Sequence, residues 1–133
     1  MWKILIVDDV FVNRQLILEI LKDKAQCDVA ANGKEAIEAF NYALHKEPYD
    51  LILLDIAMPE VSGLEFLSLL RKNEKKSGIF LGDGVPVIMV TAHKESFFKA
   101  FDEGCDDYIV KPIDPIVLIN KIESKLGNKK KDE

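Results

Sequence analysis

Three carboxylates, a hydroxyl and an amine stand at the ends of four short apolar runs. Lys3 to Val7 (KILIV) stops at Asp8 and Asp9, and Leu51 to Leu54 (LILL) stops at Asp55. Val85 to Val90 (VPVIMV) stops at Thr91, and Asp107 to Val110 (DYIV) stops at Lys111. Read as parallel strands, these runs share one edge of a sheet at their carboxyl ends, where open parallel sheets gather ligands and chemistry. Asp8, Asp9, Asp55, Thr91 and Lys111 then converge although they lie far apart in the chain. Neighbouring carboxylates repel one another unless positive charge joins them. Lys111 brings one such charge, and the oxygen-only character of the other donors suits a hard divalent cation, Mg²⁺, with water completing its octahedron. With Mg²⁺ held mainly by Asp8 or Asp9 and Asp55, the free oxygen of Asp55 is placed to attack phosphorus and form an aspartyl phosphate. The cation and Lys111 neutralise the phosphoryl oxygens, and Thr91 donates a hydrogen bond to one of them.

The intervening segments supply the scaffold. Leu16, Ile17, Ile20 and Leu21 recur at helical spacing and predict a first helix over about Val12 to Lys22. Cys27 to Ala30 reads as a short, weakly hydrophobic edge strand. Asn32-Gly33 signals a turn, followed by a helix carrying Ile37, Phe40 and Leu44 that stops near Pro48. Leu51 to Leu54 is apolar on both faces, as a central parallel strand must be, and Pro59 and Gly63 make the segment after it a loop. Leu64, Phe66, Leu67, Leu69 and Leu70 predict a third helix that runs out in the charged stretch Arg71 to Lys76. Ser77 to Gly84 reads as a loop. A short helix over Lys94 to Glu103 carries Phe97 and Phe101 one turn apart, with Gly104 as its left-handed terminator. Asp114 caps a last helix with Pro115 at its first position and Ile119, Ile122 and Leu126 on its buried stripe. Five strands alternating with five helices specify a doubly wound parallel sheet covered on both faces.

At 133 residues, 48% hydrophobic and 31% charged, the chain fits one globular domain, read as 1–127, with a charged tail or linker start at 128–133. No apolar run approaches the roughly 18 residues of a membrane span. Nothing at the N-terminus marks export, so the expected compartment is the cytoplasm. Cys27 and Cys105 form no close-spaced pair and read as reduced, buried thiols. A net charge of −5 gives no electrostatic reason to bind nucleic acid, and the basic run Lys129 to Lys131 lies beside Asp132 and Glu133.

VDD at Val7 to Asp9, DIAMPEVSG from Asp55, VTAH from Val90 and DYIVKP from Asp107 together resemble the receiver domain of two-component response regulators, from about Lys3 to Leu126. Each string is weak alone; in this order, each at a strand end, they are highly specific. The resemblance implies a flavodoxin-like sheet in the order 2-1-3-4-5 flanked by five helices. It makes Asp55 the phosphoacceptor and Asp8 and Asp9 the acidic Mg²⁺ pair, with the backbone carbonyl of Ala57 a further ligand. Thr91 and Tyr108 become the switch pair, Lys111 pairs with the acyl phosphate, and the Lys111-Pro112 bond is cis. The implied donor is a phosphohistidine on a sensor histidine kinase or histidine phosphotransferase. The expected activity is Mg²⁺-dependent self-phosphorylation and autodephosphorylation rather than conventional enzyme turnover. The surface that changes lies around the fourth and fifth helices, and the same face with the fifth strand is the expected homodimer contact. Asn13, Arg14 and the TAH of Thr91 to His93 look more like receivers of hybrid kinases and phosphorelays. Two features depart from the family pattern: the stretch from Asn73 to Gly84 is long, and Ala57 is small, leaving the acyl phosphate open to water.

Alone, Asp55 would more often cap a helix, Tyr108 would be a strand aromatic and Lys111 a solvated lysine. The matching strand ends outweigh those readings. His45 and His93 read as surface residues, and Phe98 as an exposed partner contact. A binding module read regardless of phosphorylation is the alternative function. An aspartate-nucleophile phosphatase of the haloacid dehalogenase type is disfavoured because such enzymes carry D-x-D where this chain has Asp8-Asp9-Val10. Nucleotide-binding glycine motifs are absent.

Overall fold

Hydrophobic alternation along the strands sorts the molecule into three layers. The computed structural model describes residues 1–58, 61–80 and 82–127. Its elements are β1 (Trp2–Val7), α1 (Phe11–Leu21), β2 (Ala25–Ala30), α2 (Gly33–Leu44), β3 (Leu51–Leu54), α3 (Gly63–Lys76), β4 (Val87–Thr91), a 3-10 turn (Lys94–Ser96), α4 (Phe97–Glu103), β5 (Asp107–Val110) and α5 (Pro115–Leu126). All strand pairs are parallel and the order is β2-β1-β3-β4-β5. Leu5, Val7, Ile52, Leu54, Val87 and Met89 point into one core with Ala36 and Ala43 of α2, Phe66, Leu67 and Leu70 of α3, and Ala100 of α4. Their neighbours Ile4, Ile6, Leu51, Leu53, Ile88, Val90 and Ile109 point into the other, with Ile17 and Leu21 of α1 and Leu118, Ile122 and Leu126 of α5. The period of two therefore places α2, α3 and α4 on one face and α1 and α5 on the other.

Local chemistry sets the helix starts. The Asn32 side chain accepts from Glu35 N at 2.9 Å while Glu35 Oε1 accepts from Ala31 N at 2.7 Å, a reciprocal cap that closes α2. Ser62 Oγ accepts from Glu65 N, and Asp114 Oδ1 accepts from both Ile116 N and Val117 N ahead of Pro115. Gly104 ends α4 at φ 107°, the left-handed geometry its sequence position predicts.

Several expectations need correction. Leu16, Leu44 and Leu69 are exposed. The periodicity reading overweighted large residues, whereas α2 buries the alanines Ala36 and Ala43, whose size lets its backbone approach the sheet. On α5 it is Leu118 rather than Ile119 that is fully buried. β2 begins at Ala25, two residues earlier than expected, and lies at the edge. β4 starts at Val87; Pro86 has no N–H to donate, though its carbonyl still accepts from Ile52 N. Cys27 is half-buried rather than buried, Cys105 is buried, and both are free. Burial, the largest cause, and adjoining carboxylates push both thiols up to about 11, which leaves them unreactive. The expected tail at 128–133, Pro59 of the expected loop and Leu81 lie outside the described residues.

Helix α3 runs out at the end of the charged stretch, as the sequence predicts, and that stretch also anchors it. Helix α3 continues to Lys76, and the Arg71 side chain is only 15% exposed. Arg71 donates to Gly104 O at 2.9 Å, Glu74 Oε1 at 2.7 Å and Asp106 Oδ2 at 3.0 Å. Glu74 Oε2 also accepts from Val85 N, and Asp106 Oδ2 from Val87 N. This network ties α3, the start of β4 and the turn after α4 together at the edge opposite Asp55. The long segment after α3 lies there too, walling a cavity of about 400 Å³ with Phe40, Phe66, Leu70 and Ile79. Removing Arg71 strands two carboxylates, so Arg71→Ala is expected to lower the unfolding free energy in urea by about 3 kcal/mol. Lys72→Ala, one residue on and solvent-facing, should stay within about 0.5 kcal/mol of the parent.

Candidate phosphoryl and metal site at the carboxyl edge of the sheet

The pairing of β1 with β3 puts Val7 beside Leu54, so Asp8 and Asp55, the next residue of each strand, are neighbours. Backbone bonds carry the ladder onto them: Asp55 N donates to Val7 O at 2.9 Å and Asp8 N to Ala30 O at 3.1 Å. Across the sheet, Lys111 N donates to Thr91 O at 2.9 Å, holding those two strand ends together. The five residues read as one cluster from sequence do meet at one edge, with differing exposure. Asp8, Asp55 and Thr91 are buried, Lys111 is half-buried and Asp9 is exposed.

Lys111 Nζ donates to Asp8 Oδ2 at 2.8 Å and to Asp55 Oδ2 at 3.1 Å. Asp8 Oδ1 accepts from Val10 N at 2.9 Å, and Asp55 Oδ1 faces the Ala57 N–H at 3.4 Å. Thr91 Oγ1 accepts from His93 N at 3.1 Å, which leaves the hydroxyl hydrogen uncommitted by that bond. The Lys111-Pro112 peptide is cis. Tyr108 is half-buried outside this cluster, stacked on Phe97 with ring centroids 3.7 Å apart. Ala57 is exposed beside Asp55. His45 and His93 are both exposed, as is Phe98 at 88%.

Three residues that the sequence singles out for other reasons also support the site. Arg14 donates to the Asp8 carbonyl at 2.8 Å and so holds the acidic turn from α1. Gly63 N donates to Ile56 O at 3.0 Å, and a Cβ on Gly63 would lie 1.9 Å from the Asp55 carbonyl oxygen. A Cβ on Gly33 would lie 2.4 Å from Val61 O, so both glycines are required where the segment after β3 folds back. Gly63 is signalled by its place soon after an acid-tipped strand; Arg14 is marked only by the resemblance to hybrid-kinase receivers, and its bond to a backbone carbonyl has no sequence signal.

Oxygens of Asp8, Asp9 and Asp55 lie within 4.8 Å of one another. One ammonium among them leaves a formal charge of −3 + 1 = −2. An all-oxygen donor set with that surplus fits Mg²⁺. The titration behaviour of the pair reflects the same crowding. Burial, the dominant cause, raises the Asp55 carboxyl above the ordinary 3.8, with Asp8 adding to it while Lys111 and the Ala57 N–H oppose. Burial alone would lower the Lys111 ammonium, but its contacts with Asp8 and Asp55 outweigh that and leave it above 10.5. The two shifts differ in what they say of one ion pair: Lys111 is satisfied by two carboxylates, whereas Asp55 has one cation that it shares.

Comparison with known proteins identifies the family of the chain. A family model described as the response regulator receiver domain covers residues 4–123. This chain belongs to the response regulator receiver domains. It is 38% identical over 127 residues to the transcriptional regulatory protein ResD of Bacillus subtilis, covering 93% of this chain and 48% of that protein. It is 35% identical over 128 residues to hybrid signal transduction histidine kinase I of Dictyostelium discoideum, covering 93% of this chain and 7% of that kinase. The chain thus spans about half the length, or much less, of these curated relatives. Among solved structures, the response regulator TrrA of Thermotoga maritima, in complex with Mg²⁺-BeF, superposes with a TM-score of 0.77 at 32% identity, covering 95% of this chain and 100% of that one. A CheY-like receiver domain protein from Methanospirillum hungatei gives 0.77 at 31%, covering 100% and 99%. Receiver domains bind Mg²⁺ at an acidic pocket and take phosphate from histidine kinases or phosphotransferases; the acidic trio of this receiver domain forms such a pocket.

The raised Asp55 carboxyl has a signed consequence for the metal-free receiver domain. Its contribution to stability is full below about pH 3.8 and is lost as pH rises through the higher folded-state value. Asp55→Asn removes that loss, so without Mg²⁺ the variant is expected to melt at a higher temperature than the parent at pH 7, with the difference shrinking toward pH 4. Calorimetric scans across that range in a chelating buffer check it.

Proposed function

We propose that Asp55 accepts a phosphoryl group from a phosphohistidine of a sensor kinase or histidine phosphotransferase, and that the changed state is read at the surface of α4, β5 and α5. The observation that carries this reading is the Lys111 ammonium joining Asp8 and Asp55 at the buried strand ends. Asp8, Asp9, Asp55 and the Ala57 carbonyl would hold Mg²⁺. When bound, the cation supplies charge neutralisation for the phosphoryl oxygens. The Asp55 carboxylate oxygen forms the new O–P bond as the N–P bond to the donor imidazole breaks, its electron pair stays on that ring nitrogen, and the imidazole leaves neutral with the proton its other ring nitrogen already carries. Lys111 then turns from its carboxylates to the phosphoryl oxygens. Thr91 gives up the His93 N–H and donates its hydroxyl to the same group, and Tyr108 follows into the space behind it. Exposed Phe98, Val110, Ile116 and Val117 support α4, β5 and α5 as the reading surface and as the contact of a homodimer. No described helix is long and apolar enough to cross a membrane; donation from a sensor kinase or histidine phosphotransferase places the domain in the cytoplasm.

Incubation with Mg²⁺ and acetyl phosphate is expected to add one phosphoryl group by intact mass, and none to Asp55→Asn. Addition to that variant would overturn the assignment. Mg²⁺ at about 100 times its dissociation constant should stabilise the parent by about 2.7 kcal/mol, and Asp8→Asn should remove most of that gain in a thermal melt.

Ala57 presents only a methyl group and is exposed, so little covers the acyl phosphate on that side. Ala57→Met is expected to lengthen the phosphoryl lifetime about threefold, consistent with a modest loss of water access worth about 0.7 kcal/mol. Faster loss in the variant would contradict the role given to this position.

A further inference from the structure

Tyr108 is held from several sides by residues that the switch reading does not use. Phe97, the first residue of α4, stacks on its ring at 3.7 Å between centroids and 28° between planes. Phe101, one turn later, meets the ring edge-on at 5.9 Å. The Lys121 ammonium of α5 lies over the ring, 4.9 Å from its centroid, and pairs with Asp107 Oδ1 at 2.9 Å. The same Asp107 oxygen accepts from Tyr108 N at 2.8 Å. Tyr108 packs with the α2–α4 core, whereas α5 buries its stripe in the opposite one, so Lys121 reaches around the edge strand to touch the ring.

Thr91 is at the same time bonded to His93 N, the arrangement it must leave to reach a phosphoryl group. An inward move of Tyr108 would give up the stack on Phe97 and the cation over the ring.

We propose that Phe97 and Lys121 clamp Tyr108 in its resting position and thereby set how readily Asp55 is phosphorylated. This rests on the reading of Thr91 and Tyr108 as the switch pair. Both are positioning residues, acting through Tyr108 without touching the reacting atoms. A contact present only in the resting state holds back the active population by its own strength, and phosphorylation favours whichever state binds the phosphoryl group better. Stacking and cation–π contacts of this kind each correspond to about a threefold bias, and the two together to about tenfold.

The test uses Lys121→Met, which keeps the aliphatic stem and removes the charge, and Phe97→Leu, which keeps apolar volume and removes the stack. Initial phosphorylation rates with acetyl phosphate and Mg²⁺ are read by intact mass. Each variant is expected to react about threefold faster than the parent and the double variant about tenfold faster, with no gain in a Tyr108→Ala background. Asp107→Asn, which weakens the ion pair but leaves the ammonium over the ring, should change the rate less than about twofold. Fluorine NMR of protein carrying 3-fluorotyrosine supplies a second readout that needs no phosphodonor: the Tyr108 resonance should move in both single variants while those of Tyr42 and Tyr49 stay. Unchanged or slower rates, an unmoved Tyr108 resonance, or a gain that persists in Tyr108→Ala each overturn the clamp. Failure of the parent to accept a phosphoryl group overturns the phosphoacceptor reading instead, and the fluorine spectra still judge the clamp.

Discussion

Two buried carboxylates side by side at the ends of adjacent strands are unstable without a cation, and the architecture is arranged around supplying one. Parallel pairing of β1 with β3 makes Asp8 and Asp55 neighbours, and burial deprives them of the water that would otherwise screen them. Lys111, 103 residues from Asp8 and 56 from Asp55, closes the gap from the other side of β4. It neutralises one of three charges. The remainder makes the edge receptive to a divalent ion and then to a dianionic phosphoryl group, whose oxygens can take over the lysine. The resting ion pair and the chemistry thus draw on one electrostatic imbalance.

That imbalance was legible in the chain because buried parallel strands are nearly all aliphatic, and an acid, hydroxyl or amine where such a run stops stands out. Strand number, sheet order and the five edge residues followed from this and from the family resemblance. Helix faces were read less well. Leu16, Leu44 and Leu69 fit the helical period yet face water, while Ala36 and Ala43 make the close contacts. A period of 3.6 locates a stripe but does not say which shoulder of it is covered, and small residues at close approaches carry little weight in a hydrophobicity pattern.

Long-range polar ties were not legible at all. Arg71 sits in a run of charged residues that looks solvated, and its partners Gly104 and Asp106 lie 33 and 35 residues away. Arg14 fixes the acidic turn through a carbonyl, which every residue has. The edge chemistry needed particular residue types at particular places; these ties needed only that a long side chain reach a backbone oxygen or an acid, and many sequences allow that.

Helix α4 is fastened by different means at its two ends. At one end Gly104 turns the chain back in left-handed geometry and its carbonyl is gripped by Arg71 of α3. At the other, the helix begins after a 3-10 turn, its Ser96 cap makes no side-chain bond, and its first residue leans on Tyr108. The hydrogen-bonded end therefore sits at the silent edge of the sheet, and the end held by ring stacking alone lies on the side of Thr91. Only seven residues separate the two ends, and the exposed ring of Phe98 stands at the end nearer Thr91, so the least bonded part of the helix is also the part that shows an aromatic to solvent.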